Sequence, residues 1–231
     1  MTAVVALDLS TKTGWALLND KGMPTSFGLI TKGLDWKISE YPENFILISE
    51  EIAEQVASKV EELLPEISNV VIECVNKPGR FGSRFSQQVL DFIHFCVIKK
   101  LLKMPVKIHY VNTSDWRKTL KLSVAETKKA AKPILKEFNT LKKAFEAEPD
   151  RTKKKELGVK LKDFKELLKK RCIHGSIDKK SISVAYCNAT WSLDLKKGDN
   201  DIADAMCQAR AWQLGCPVID NSMIFDTYEK K

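Results

Sequence analysis

Apolar positions along this chain follow two alternating rhythms, short continuous runs and steps of three and four, and together they predict an α/β fold. Ala3–Leu7 is an apolar run of strand length; Gly14–Leu18 is a second and, past the turn Asn19-Asp20-Lys21-Gly22, Ser26–Thr31 is a third. Their close spacing makes them antiparallel neighbours. Phe45, Ile48, Ile52, Val56, Val60 and Leu63 then recur at helical steps, and Pro65 stands where such a helix should stop. Val70–Val75 is a near-continuous apolar run interrupted by Glu73, as in a strand covered on both faces. A loop, Asn76–Gly82, leads to a predicted helix over about Ser86–Leu102, with Val89, Phe92, Ile93, Cys96 and Val97 on its apolar side. A fifth strand is expected at Val106–Val111.

Beyond it, Thr113, Ser114 and Asp115 offer caps for a short helical turn carrying Trp116, and Ser123 with Glu126 forms the S-x-x-E signature of another helix start. From about Leu135 to Arg171 the chain is rich in lysine and glutamate around Pro149-Asp150, which predicts an inserted helical hairpin. Ser181–Trp191 and Asp201–Leu214 are the last two helices. Strand–helix–strand connections are right-handed crossovers, so the later strands join in parallel. The expectation is one domain over 1–231: a mixed five-stranded sheet, first strand central, helices on both faces, and a helical insertion at about 135–175.

Composition narrows the setting. The 231 residues are 44% hydrophobic and 29% charged, as in an ordinary globular protein. No apolar run approaches the roughly 18 residues of a membrane span, and the start lacks the features of a signal peptide. Six scattered cysteines with no CxxC pair read as buried thiols in a reducing compartment. Cys172, His174 and Cys187 fit no common zinc spacing and lack a fourth ligand. The expected location is the cytoplasm of a bacterium or of a virus-infected host cell. A net charge of +8 favours a polyanionic partner. The lysines crowded between Lys128 and Lys180 suit a solvated hairpin and a DNA-gripping arm equally well.

Candidate chemistry lies in four carboxylates. Asp8 ends the first strand and Glu73 lies in or at the end of the fourth; as parallel neighbours they would emerge at the same sheet edge. A carboxylate in an apolar strand is costly unless paired, protonated or metal-bound, and neither strand has a cation close in sequence. In Asp199-Asn200-Asp201-Ile202-Ala203-Asp204-Ala205, Asp201 and Asp204 share a helix face, with small residues that would let the helix approach the sheet. Asp201 alone reads equally well as a first-turn acid suited to the helix dipole; Asp204, deeper and flanked by apolar residues, does not. Such oxygen ligands select Mg²⁺ or Mn²⁺, and two ions roughly 4 Å apart suit phosphodiester hydrolysis.

The stretch Val4-Val5-Ala6-Leu7-Asp8-Leu9-Ser10-Thr11-Lys12-Thr13-Gly14-Trp15-Ala16, the strand with Glu73 and the segment Asp201-Ile202-Ala203-Asp204-Ala205 together resemble the RuvC-type Holliday junction resolvases, above all their phage and viral relatives. The likeness covers nearly the whole chain except the lysine-rich insertion. It implies a ribonuclease-H-like fold, a homodimer, and paired nicks in branched DNA, such as a four-way junction, leaving 5′-phosphate ends. It also implies that Asp8, Glu73, Asp201 and Asp204 are the metal-binding catalytic carboxylates, with Mg²⁺ (or Mn²⁺) as cofactor, two ions per site. One departure is Asn76, which stands where cellular members carry the aromatic that contacts the junction centre; Phe81 or Phe85 is a candidate substitute. The loop Lys77-Pro78-Gly79-Arg80-Phe81-Gly82-Ser83-Arg84-Phe85 alternates basic and aromatic residues, so Lys77, Arg80, Phe81 and Arg84 are expected to contact DNA. Phe85 and Phe92 also read as core, and His94 and His109 as structural.

Three other readings compete. Actin-like ATP-binding proteins share an opening Asp8-Leu9-Ser10-Thr11, but the chain has neither their duplicated length nor their adenosine motif. A non-catalytic DNA-binding copy of the fold would have no reason to hold four repelling acids together. A less selective flap, fork or RNA–DNA hybrid nuclease of the same fold is the main alternative.

Overall fold

The computed structural model describes residues 2–74, 84–170 and 177–219. Five strands form one sheet: β1 (Val4–Asp8), β2 (Lys12–Leu18), β3 (Pro24–Thr31), β4 (Asn69–Glu73) and β5 (Lys107–Val111), in the order β3-β2-β1-β4-β5. The pairs β1–β2 and β2–β3 are antiparallel and β1–β4 and β4–β5 parallel, so β1 is central as expected. The helices are α1 (Glu43–Leu63), α2 (Arg84–Leu101), α3 (Thr113–Thr119), α4 (Val124–Ala147), α5 (Arg151–Lys170), α6 (Lys179–Trp191) and α7 (Asn200–Gln213).

The chain divides into two compact units, one of residues 1–120 and 201–231, the other of 121–200. In the first, side chains alternate across the strands. Val5 and Leu7 of β1, Trp15 and Leu17 of β2, and Val70 and Ile72 of β4 share one core with Phe45, Ile48, Ile52, Val56 and Val60 of α1 and Val89, Ile93 and Val97 of α2. The step of three and four read from the sequence is thus the buried stripe of α1, which ends before Pro65, a residue with no N–H to continue the ladder. A fully buried aliphatic such as Ile48 or Ile72 contributes about 1.5–3 kcal/mol.

The opposite sheet face takes α7, because its strand positions are small. Gly14 of β2 lies so close to α7 that an added Cβ would fall 2.0 Å from the carbonyl oxygen of Asp201. Ala6 and Ala16, paired across β1 and β2, are fully buried on the same face, and Ala203, Ala205 and Ala209 of α7 are fully buried too. Glycine and alanine on both partners let a helix backbone rest almost directly on the strands.

In the second unit, Ser123 caps α4 by accepting a hydrogen bond from the Glu126 N–H at 3.3 Å, so the S-x-x-E signature does mark a helix start. That helix runs on through Pro133 to Ala147, so the hairpin's first arm begins a dozen residues earlier than the composition shift suggests. Asp150 caps the second arm, α5, through the N–H groups of Thr152 and Lys153. Ala131, Leu168, Ile177 and Ile182 form this unit's own small core. Among the described residues no helix is long and apolar enough to cross a membrane.

Candidate active site

Strand register brings the first two carboxylates together. Leu7 pairs with Ile72 across the parallel strands β1 and β4, so Asp8 and Glu73, one step further along, end neighbouring strands about 4.8 Å apart. Leu7 and Ile72 both point into the α1–α2 core, so Asp8 and Glu73 point to the other face, where α7 lies. Asp8 is also the register partner of Gly14, the residue on which the Asp201 backbone rests. Asp201 opens α7 and Asp204 follows three residues on, 9% exposed. All four acids therefore belong to one unit, one sheet edge and one face.

Each of three acids is engaged by donors that the sequence does not place near it. Glu73 accepts a hydrogen bond from the Thr113 hydroxyl at 2.6 Å and from the Trp116 indole N–H at 2.8 Å, and the Gln208 amide N–H lies 3.4 Å away. Arg117 pairs with Asp204 at 3.1 Å, with side chains only 11% and 13% exposed, and its guanidinium stacks on the Trp116 ring at 4.1 Å. Lys12 lies 3.8 Å from Asp201. Consecutive residues of α3 thus hold two different acids, Trp116 one and Arg117 the other.

Topology explains why. Strand β5 is parallel to β4 and ends at the same edge, Val111 opposite Glu73, and α3 starts two residues later. The Asp8–Gly14 turn is closed by its own side chains: the Thr13 hydroxyl donates to the Ser10 carbonyl at 2.7 Å and accepts from the Ser10 N–H at 3.1 Å. The Ser/Thr pattern after Asp8 is therefore accounted for by turn closure. Beside the acids, burial first and the Glu73 charge second push the Cys74 thiol above its usual range.

The donor set fits a hard divalent cation in kind: acidic oxygens on one face, and the buried Gln208 Oε1, which lacks a hydrogen-bond partner among the described residues. In the arrangement seen, no three His, Cys, Asp or Glu side chains among the described residues lie close enough to hold a metal ion. The side chains of Glu73, Asp201 and Asp204 instead take the positions set by Trp116, Thr113, Lys12 and Arg117.

The remaining candidates are less informative. Lys77, Arg80 and Phe81 lie outside the described residues, and Arg84 is the first residue of α2, its side chain outside the description. Phe85 is 53% exposed yet meets Phe45 and Trp36 edge-on at 4.9 and 5.7 Å, and Phe92 packs on Phe45. Sequence reasoning missed Arg117 and Gln208, placed Trp116 only as a helix residue, and read Thr113 as a cap, whereas Asn112 takes the N-cap position and the Thr113 hydroxyl goes to Glu73. One signal was available for Gln208: with Asp201 and Asp204 it follows a helical step of three and four, on one face.

No family model and no curated protein matches the chain. Solved structures do. A Thermus thermophilus RuvC structure superposes with a TM-score of 0.53 at 9% identity, covering 94% of this chain and 100% of the other. Thermus thermophilus RuvC in complex with a Holliday junction substrate superposes with a TM-score of 0.50 at 7% identity, covering 95% and 100%. The chain has the RuvC-like, ribonuclease-H-like fold.

Proposed function

We propose that this chain is a Mg²⁺-dependent endodeoxyribonuclease that cuts Holliday junctions or other branched DNA. The observation that carries the reading is the placement of Asp8, Glu73, Asp201 and Asp204, from three separated segments, at one edge and one face of the sheet. Lys12 and Arg117 offset the charge of Asp201 and Asp204, and a divalent cation would offset the repulsion among the four acids further. Two Mg²⁺ ions (or Mn²⁺) held by these four residues would supply an activated water and stabilise the leaving oxygen of a phosphodiester.

The protein's own groups do the rest. Trp116 and Thr113 hold the Glu73 carboxylate in one orientation. Arg117 and Lys12 neutralise Asp204 and Asp201, and can turn to phosphate oxygens when those acids change partners. Two copies acting as a homodimer would make the paired nicks, leaving 5′-phosphate ends, and the loop carrying Lys77, Arg80, Phe81 and Arg84 would contact the branch. Likeness of fold over nearly the whole chain to a RuvC solved with its junction supports this reading.

The test is a Mg²⁺-dependent digestion panel of four-way junctions, flaps, RNA–DNA hybrids and plain duplex. Junctions are the expected preferred substrate; flaps or hybrids cut equally well would indicate the less selective nuclease. Asp8→Asn and Glu73→Gln should each abolish cutting while junction binding persists. Undiminished cutting by either variant would remove the mechanism. Arg80→Ala with Arg84→Ala should weaken junction binding.

A further inference from the structure

The net positive charge of this protein resides in its second unit. Residues 121–200 hold 21 lysines and arginines against 11 acids, a net +10, whereas the unit with the four carboxylates holds 17 against 19, a net −2. A net-acidic unit has little electrostatic pull on a polyanion, and phosphate neutralisation dominates affinity for DNA.

Within the second unit the cations are ordered. At 100° per residue, Arg151, Lys154, Lys155, Lys162 and Lys165 of α5 occupy one face about 100° wide, with no acid between them and Glu166 at the flank. All but Lys154 are exposed. From Arg151 to Lys165 the stripe runs about 21 Å, the axial length of about six phosphates of one strand. A groove of about 500 Å³ opens along it, lined by Phe145 of α4 and by Arg151, Lys154, Lys155, Gly158 and Lys162. Gly158 lies against the half-buried Phe145 ring, where an added Cβ would stand 3.4 Å from it, and Lys154 lies 5.5 Å over that ring. Among the described residues the ion pair within the hairpin, Lys142–Glu146, lies on α4 and takes none of the α5 cations.

We propose that this basic face of α5, with the Phe145 groove, is a binding rail for the phosphate backbone of DNA. It supplies most of the electrostatic affinity that the acidic unit lacks. As to ligand it rests on the nuclease reading, but its test does not. The full-length chain is titrated, without divalent cations, into a fluorescein-labelled four-way junction and into a plain duplex at 50–200 mM salt. Each lost phosphate contact lowers the slope of log K against log salt by about 0.9. The variant R151Q/K154Q/K155Q/K162Q should therefore lower the slope by up to about 3.6, weakening the salt response across that range by about two orders of magnitude. R151K/K154R/K155R/K162R, which keeps the charges, should bind like the parent chain. K99Q/K103Q/K107Q, at the sheet edge opposite the carboxylates, should leave the slope unchanged. A slope within one unit of the parent chain in the glutamine variant overturns the proposal whatever the protein cleaves. A lowered slope in a chain that cuts nothing sustains the rail and removes the nuclease reading instead.

Discussion

Gly14→Ala places one methyl group at the point where sheet, helix and acids meet. The new Cβ would stand 2.0 Å from the Asp201 carbonyl oxygen, 2.2 Å from its carbon and 2.7 Å from the Ile202 nitrogen. These are backbone atoms and cannot rotate away. Ordinary contact begins at 3.4 Å, so the start of α7 must retreat by about 1.4 Å. Asp201 and Asp204 move with it, while Asp8 and Glu73, fixed by strand pairing, do not. Overpacking of this kind costs about 1–3 kcal/mol, which lowers Tm by roughly 2–12 °C in a chain of this size. A misplacement of about 1 Å in a catalytic array can cost about 100-fold in rate. Single-turnover cleavage of a junction at saturating Mg²⁺, with thermal melting beside it, reads both effects. Gly198→Ala, whose added Cβ would meet nothing within 4 Å, serves as the control and should change neither. A Gly14→Ala protein that melts and cuts like the parent would refute the close approach of α7 to β2 and, with it, the placement of the four acids on one face.

Trp116→Phe keeps the buried ring but loses the N–H that Glu73 accepts, a hydrogen bond to a charged group of about 1.5–3 kcal/mol. Cleavage should fall about 10- to 100-fold, with a higher Mg²⁺ requirement; an unchanged Mg²⁺ titration would deny the orienting role. Arg117→Met leaves Asp204 without its ion-pair partner in a nearly buried setting, at a cost of about 3–5 kcal/mol when metal is absent. Added Mg²⁺ should then raise Tm more in the variant than in the parent, and equal shifts would mean that Asp204 binds no metal. Burial holds the His94 imidazole down at about 4, with Asp91 opposing weakly. The unfolded chain takes up that proton first as pH falls, so stability should drop by up to about 3 kcal/mol from pH 6.5 to pH 4. The slope of unfolding free energy against pH should flatten in His94→Gln.

The strands and most helices were legible because burial writes directly into residue type. Val4, Val5, Ala6 and Leu7 are all fully buried, and no other element tolerates so short a closed run. The α1 stripe is legible for the same reason. Asp8 and Glu73 stood out as polar residues in apolar strands, and parallel pairing alone puts them side by side. The partners of the acids were not legible. Lys12 is four residues from Asp8 yet faces Asp201, and Arg117 is 87 residues from Asp204. Nothing local distinguishes such a cation from a solvated one. Charge partition was also hidden within a net of +8, because the units differ in sign.

That difference in sign bears on how a site of this kind can exist. Acids gathered on one face need compensating in the absence of metal, and for three of the four the fold does this from within: Arg117 pairs with Asp204, Lys12 lies against Asp201, and neutral donors hydrogen-bond Glu73. Such internal pairing leaves the unit's net charge at −2, so its pull on a polyanion is weak. On the proposal made above, the cations of α5 supply most of the attraction to DNA. The expected outcome is therefore a separation of effects: lysines removed from the hairpin should weaken DNA binding without touching the carboxylates, and altered carboxylates should leave DNA binding in place.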